Sequence, residues 1–264
     1  MNNESIAKTF GVATALCVVC AILVSVSSVA LKGMQERNAA LDKNINILRA
    51  AGLVGPREKI TSEEAEKLFA NSERVVVDMA TGAVDENADP DAVEADKHAV
   101  IALDKEDDLA AIKTMPAKTI VYLFHDDAGK LQTAVLPIMG TGLWSMMHGY
   151  IALDSDLTTV AHIVFHEHGE TPGLGGEISN PIWTAKWEGK KAFDENGTPI
   201  LRVIKGVAEP ESSCVDGISG STLTCEGVNN TVTFWLGDKG FGPFLKDLKA
   251  SSGPNNSENG KEEQ

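Results

Sequence analysis

The hydrophobic pattern divides the chain sharply near its start. From Thr9 to Leu31 the sequence "TFGVATALCVVCAILVSVSSVAL" carries no charge, and Lys8 and Lys32 bracket it. At about 1.5 Å per residue, a helix of this length crosses a hydrocarbon core of roughly 30 Å. A cleaved signal peptide competes with this reading, with Ser28–Ala30 as a small-residue cleavage site. Signal cores usually run ~7–15 residues, so the pattern predicts a retained transmembrane helix over 9–31 after a short flank, 1–8. A helical period follows: Leu41, Ile45 and Leu48 recur at i, i+4 and i+7. That predicts a connecting helix within 32–59, ended by Gly52, Gly55 and Pro56. "TSEEAEKLFANS" predicts a second helix, with Thr61 and Glu64 at capping-box spacing.

The pattern then shortens to β-type runs. "RVVVDMAT" reads as a strand. "AVIALD", "TIVYLFHDD", "LQTAVLPIMG", "GYIALD", "TVAHIVFHEHGE" and "PILRVIKG" follow, split by Gly, Pro, Asp and Asn. "DDAGK" suggests a hairpin between two of them. "GAVDENADPDAVEAD" reads as a solvated acidic loop. A last helix begins at Thr222, with Leu223, Val228, Val232 and Trp235 partly on one side. The polar tail, 250–264, predicts disorder. The fold class is therefore α+β: one N-terminal membrane helix, then one α+β domain over 60–249.

Charge narrows the partners. The 38 acidic residues outnumber 23 Lys and Arg, for a net −15. Such a chain repels phosphate backbones and anionic lipid headgroups, which argues against nucleic acid and leaves the inserted helix as the contact with the bilayer. Lys8 against Lys32, Arg37 and Lys43 does not settle orientation. Cys17 and Cys20 share one helical face in the span and read as small packing residues. Cys214 and Cys225 could pair in an oxidising compartment, but spacing alone leaves this open.

Three stretches carry candidate chemistry. "DGISGSTLT", 216–224, fails the serine-hydrolase elbow because Ser221 stands where Gly is needed, and no Walker lysine follows. What remains is a small-residue loop opening a helix, either an N-cap by Ser219, Ser221 or Thr222 or a seat for a phosphate. In "HIVFHEHGETPGLGGE", His162, His166 and His168 fall on one face of a strand, with Glu170 as a possible fourth zinc ligand. The HExxH order is absent, and three histidines on an exposed or ligand-facing strand is the plainer account. The following "ETPGLGGE" is a tight loop of low bulk through which backbone can approach a flat ligand. "GTGLWSM" places Trp144 between small residues, as a core plug or an aromatic wall.

Taken in order behind one membrane span, "GTGLWS", "HGETPGLG", "IKG" and "DGISGST" resemble a flavoprotein family. It comprises NqrC, the FMN-binding subunit of the Na⁺-translocating NADH:quinone oxidoreductases, and the related G subunit of the Rnf complex. The resemblance implies FMN bound covalently, through its phosphate, to a threonine in the pattern D-G-x-S-G-A-T. That pattern falls on Asp216, Gly217, Ile218, Ser219, Gly220, Ser221 and Thr222, which makes Thr222 the acceptor. Ser221 replaces the usual Ala, and Ser221 and Thr224 are rival hydroxyls. Trp144, Glu170, Thr171, Gly173, Leu174 and Gly175 are the implied flavin neighbours, with Lys205 as a nearby charge. The resemblance further implies a flavin transferase that uses FAD and Mg²⁺, and a periplasmic domain on a bacterial inner membrane. Its partners are the other subunits of a complex that passes electrons from NADH to ubiquinone and exports Na⁺. No acidic residue in the span marks an ion path, so the subunit is not expected to carry Na⁺ by itself; the resemblance implies an electron carrier that is not catalytic alone. The alternatives are an Rnf G subunit or a membrane-anchored domain that holds its ligand non-covalently.

Overall fold

The computed structural model describes residues 6–96 and 98–251. The expected disordered tail lies almost wholly outside them, as does most of the N-terminal flank. Helix α1 runs without a break over Ile6–Ala50. The span and the connecting helix expected after it are thus one element: Gly33 between them stays helical, and the helix ends only before Gly52, which takes φ +74°. Its apolar stretch, with Phe10, Leu16, Ile22 and Val29 exposed, is long and apolar enough to cross a membrane. Two compact units divide the chain, 1–44 and 45–264. The final turn of α1 belongs to the second, where Ile47, Leu48 and Ala50 are buried.

In that second unit, α2 (Ser62–Phe69) starts on the capping box: Thr61 Oγ1 accepts from the Glu64 amide, and Glu64 accepts from the Thr61 amide. Strand β1 (Ser72–Asp78) follows. The acidic stretch is not loop throughout. Asp89 caps a short helix, α3 (Pro90–Ala95), whose first position is a proline already fixed at a helical φ. Strands β2 (Val100–Ala102) and β3 (Thr114–Pro116) form a small antiparallel pair.

The main sheet is built from β1, β4 (Lys118–His125), β5 (Leu131–Thr141), β6 (Met146–Asp154) and β7 (Val160–Glu167), all antiparallel in that order. β4 and β5 are joined by the expected hairpin, where Asp126 binds the Ala128 and Lys130 amides and Gly129 takes φ +77°. The central strands are apolar nearly without alternation because both faces are covered. Val121, Leu123, Leu136 and Ile151 enter the main core. Ile120, Tyr122 and Phe124 point the other way, and Phe69 of α2 packs on Tyr122 with ring centroids 5.7 Å apart.

After β7 the chain makes two short 3-10 turns around α4 (Pro181–Thr184). β8 (Arg202–Ile204) and β9 (Cys214–Asp216) form a parallel pair. Helix α5 (Thr222–Leu236) then packs across β5. Val228, Val232 and Trp235 are buried as expected, but Leu223 stays exposed beside Thr222. The Trp235 indole donates to the Met139 carbonyl at 2.6 Å, and the Asn229 amide pairs with both backbone groups of Val203. These bonds fix the last turn of α5 against the end of β5 and its middle against β8. Helix α6 (Gly242–Ser251) closes the described chain and contributes Phe244 and Leu245 to the core.

Candidate functional site

The first turn of α5 is open. Ser221 occupies the N-cap, but no side chain caps the helix. Ser221 is 4% exposed, and its buried hydroxyl has no hydrogen-bond partner. The amides of a first turn have no intrahelical acceptor, and the helix dipole is positive there. Thr222 is exposed at this end, whereas Thr224 is 1% exposed and donates its hydroxyl to Glu170 Oε2 at 2.6 Å. The three neighbouring hydroxyls are therefore not equivalent.

Backbone conformation brings the loops together. Gly220 has φ +76°, and a Cβ there would lie 3.1 Å from Leu174 Cδ2. Gly217 lies against the Ile204 carbonyl, where a Cβ would come within 2.5 Å. A groove of about 460 Å³ opens beside this turn, and its walls include Lys205, Ser219, Gly220, Thr222, Cys225 and Glu226. Glu170 is the centre of the arrangement, 4% exposed. Its Oε1 accepts from the Trp144 amide at 2.9 Å, and its own amide donates to His168 Nδ1 at 3.3 Å. Gly142 and Gly175 leave room for that carboxylate, since a Cβ at either would fall within 3 Å of it. One carboxylate thus ties "GTGLWS" and "ETPGLG" to the helix that begins at Thr222.

The outer surfaces of these loops are apolar. Trp144 is 69% exposed, with Leu143 and Leu174 also largely exposed. Thr171 binds its own loop through its carbonyl, which accepts from the Leu174 and Gly176 amides, and Gly173 takes φ +75°. Asp216 turns the other way. Its carboxylate accepts from the Ala208 amide at 2.7 Å and pairs with Lys186 at 2.5 Å, and these two contacts hold it below the usual carboxylate range. Its carbonyl accepts from the Trp183 indole at 2.8 Å. Asp216 therefore anchors the motif loop from behind, while Ser219, Gly220 and Thr222 line the groove.

The histidines separate into three surroundings. His162 meets Glu188 at 3.0 Å, His166 stacks on Tyr150 at 5.2 Å, and His168 accepts from the Glu170 amide. Burial holds the His166 imidazole below its usual range, with His148 adding to the effect. Among the described residues no group of three or more His, Cys, Asp or Glu could hold a metal. Cys214 and Cys225 are free thiols. Cys225 is buried, which raises its thiol, and its Sγ accepts from the Ile218 amide at 3.3 Å.

These surfaces fit a flavin mononucleotide: uncapped amides and a buried unpaired hydroxyl where a phosphate can sit, with exposed Trp144, Leu143 and Leu174 for a flat ring. Residues 142–237 match the FMN-binding domain family. The chain is 44% identical over 254 residues to NqrC of the Na⁺-translocating NADH-quinone reductase from Yersinia pestis, covering 94% of this chain and 95% of the relative. The chain belongs to the NqrC family. The NqrC of Pseudomonas aeruginosa is 43% identical, with 94% and 98% covered. The crystal structure of Shewanella oneidensis NqrC superposes with a TM-score of 0.70 at 34% identity, covering 80% of this chain and 99% of that one.

Even with the NqrC motifs in hand, some contributors escape a reading of the sequence. Lys186 and Trp183, which secure Asp216, lie 30 and 33 residues before it and belong to no motif. Leu143 could have been found, since it sits in "GLWS" beside Trp144.

Proposed function

We propose that this subunit carries FMN covalently on Thr222 and relays electrons within a Na⁺-translocating NADH-quinone reductase, toward ubiquinone and coupled to Na⁺ export. The observation that carries the site assignment is the inequality of the three hydroxyls: Thr222 is exposed at an uncapped helix start, while Ser221 and Thr224 are buried. Only an exposed hydroxyl can enter another enzyme's cleft without unfolding the helix. A threonine hydroxyl is a weak nucleophile at neutral pH, and no general base contacts Thr222 among the described residues, so a separate flavin transferase with FAD and Mg²⁺ must attach the group. In that step Thr222 Oγ forms the bond to phosphorus, the pyrophosphate bond of FAD breaks, AMP leaves, and the hydroxyl proton passes to the transferase.

Bound FMN supplies one- and two-electron redox chemistry. The chain supplies position. The first-turn amides of α5 would hold the phosphodiester charge, worth about 0.3–1 kcal/mol from the helix end alone. Trp144, Leu143 and Leu174 would exclude water from the ring, and Lys205 and Ser219 would offer polar contacts along the groove. The domain would lie on the periplasmic side of the inner membrane, held by α1.

The test is mass analysis of the full chain co-expressed with a flavin transferase. The expected result is an FMN adduct on the peptide carrying Thr222, and fluorescence under ultraviolet light in a denaturing gel that disappears in Thr222→Ala. A fluorescent band of undiminished intensity in Thr222→Ala would overturn the assignment.

A further inference from the structure

We propose that Glu170 is a positioning residue that latches the flavin-bearing loops together and places an uncompensated negative charge beneath them, lowering the reduction potential of the group they hold. The effect on potential rests on flavin being attached at Thr222; the latch does not.

Burying a carboxylate costs several kcal/mol unless its oxygens are bonded. Both oxygens of Glu170 are bonded, but to neutral groups: the Trp144 amide at 2.9 Å and the Thr224 hydroxyl at 2.6 Å. Among the described residues no Lys, Arg or His forms an ion pair with it. Three glycines accommodate this arrangement: Gly142 and Gly175 against the carboxylate, and Gly227 where α5 meets the Thr141 carbonyl. If only a latch were needed, a neutral amide would serve. Gln at this position could accept from the Trp144 amide through its carbonyl and donate its NH₂ to Thr224 Oγ1, whose hydroxyl turns to accept. The carboxylate adds only charge, and charge on a buried group is weakly screened. Any redox group on these loops gains negative charge on reduction, and a fixed anion opposes that gain.

The isosteric exchange separates charge from geometry. The full chain is co-expressed with a flavin transferase as wild type, Glu170→Gln and Glu170→Ala. Amide hydrogen exchange at Trp144 reads the latch, and a spectroelectrochemical titration of the labelled fraction reads the potential. In Glu170→Gln, Trp144 protection should stay as in wild type while the one-electron equilibrium shifts about tenfold toward reduction, which is about 59 mV upward. In Glu170→Ala, Trp144 exchange should accelerate at least tenfold. An unchanged potential in labelled Glu170→Gln overturns the charge assignment. Unchanged Trp144 exchange in Glu170→Ala, or lost protection in Glu170→Gln, overturns the latch. The exchange arm is also run on Thr222→Ala, so failure of flavin attachment is told apart from failure of the latch.

Discussion

Ser221 presents a buried hydroxyl with no partner, one position before the proposed acceptor. An unpaired buried polar group costs ~1–3 kcal/mol, and a serine can be replaced here by a side chain of nearly the same shape. Ser221→Ala in the Thr222→Ala background, where no attached phosphate can bond the hydroxyl, is therefore expected to stabilise the chain by about 1 kcal/mol. Urea unfolding checks this: the midpoint should rise at unchanged slope. A lower midpoint would mean the hydroxyl has a partner. The same residue shows where sequence reading stops. That three hydroxyls compete in "SGSTLT" was legible from the letters. Which one is accessible was not, because Thr224 is turned inward onto Glu170, more than fifty residues upstream, and the burial of Ser221 is a property of the folded loop. Glu170 itself drew notice as part of "ETPGLG", as a flavin neighbour or a zinc ligand. Its bonds to Trp144 and Thr224 are long-range facts that no local pattern encodes.

Among the elements, α5 sets the site, and its interior glycine shows how. A solvent-facing helical Gly is worse than Ala by about 1 kcal/mol, so replacing it normally helps. At Gly227 an added Cβ would lie 2.5 Å from the Thr141 carbonyl and 3.2 Å from the Gly142 Cα. Backbone cannot yield as a flexible side chain does, so α5 must move off the end of β5. Gly227→Ala is expected to reverse the usual sign, destabilising by about 1–3 kcal/mol as overpacked cores do, and to reduce flavin loading because Thr222 and the "GTGLWS" loop then part. Denaturation and the in-gel fluorescence intensity measure the two effects. The elements most legible in the sequence were those with a strong internal period: the span, α2 with its capping box, the long strands and the hairpin at Asp126. The acidic stretch hid α3 because its charge suggested loop, while the Asp89 cap and Pro90 decided otherwise. β9 and α4 are three and four residues long and exist through partners elsewhere, so their own sequences carry little signal.

For the molecule as a whole, the question is where the folded domain begins. The charge pattern changes at Lys32, yet the helix continues to Ala50. Compactness divides the chain between Asn44 and Ile45, and Ile47, Leu48 and Val54 beyond it are at most 3% exposed. Fully burying a large aliphatic side chain is worth about 1.5–3 kcal/mol. Three of them approach the lower end of a domain's whole margin, ~5–15 kcal/mol. Gly52 adds a steric constraint, since its backbone sits against the His162 ring, where a Cβ would fall 2.5 Å from Nε2. A chain starting at Ile45 should therefore leave the membrane fraction and unfold cooperatively, with Thr222 still labelled by the transferase. A chain starting at Ile60 should also leave the membrane fraction but lose most of its stability and its flavin loading, although it keeps every residue of the loops around Thr222. Parallel melting curves and flavin-to-protein ratios for the two truncations decide this. Equal stability would mean that the last turn of α1 belongs with the anchor rather than with the domain it enters.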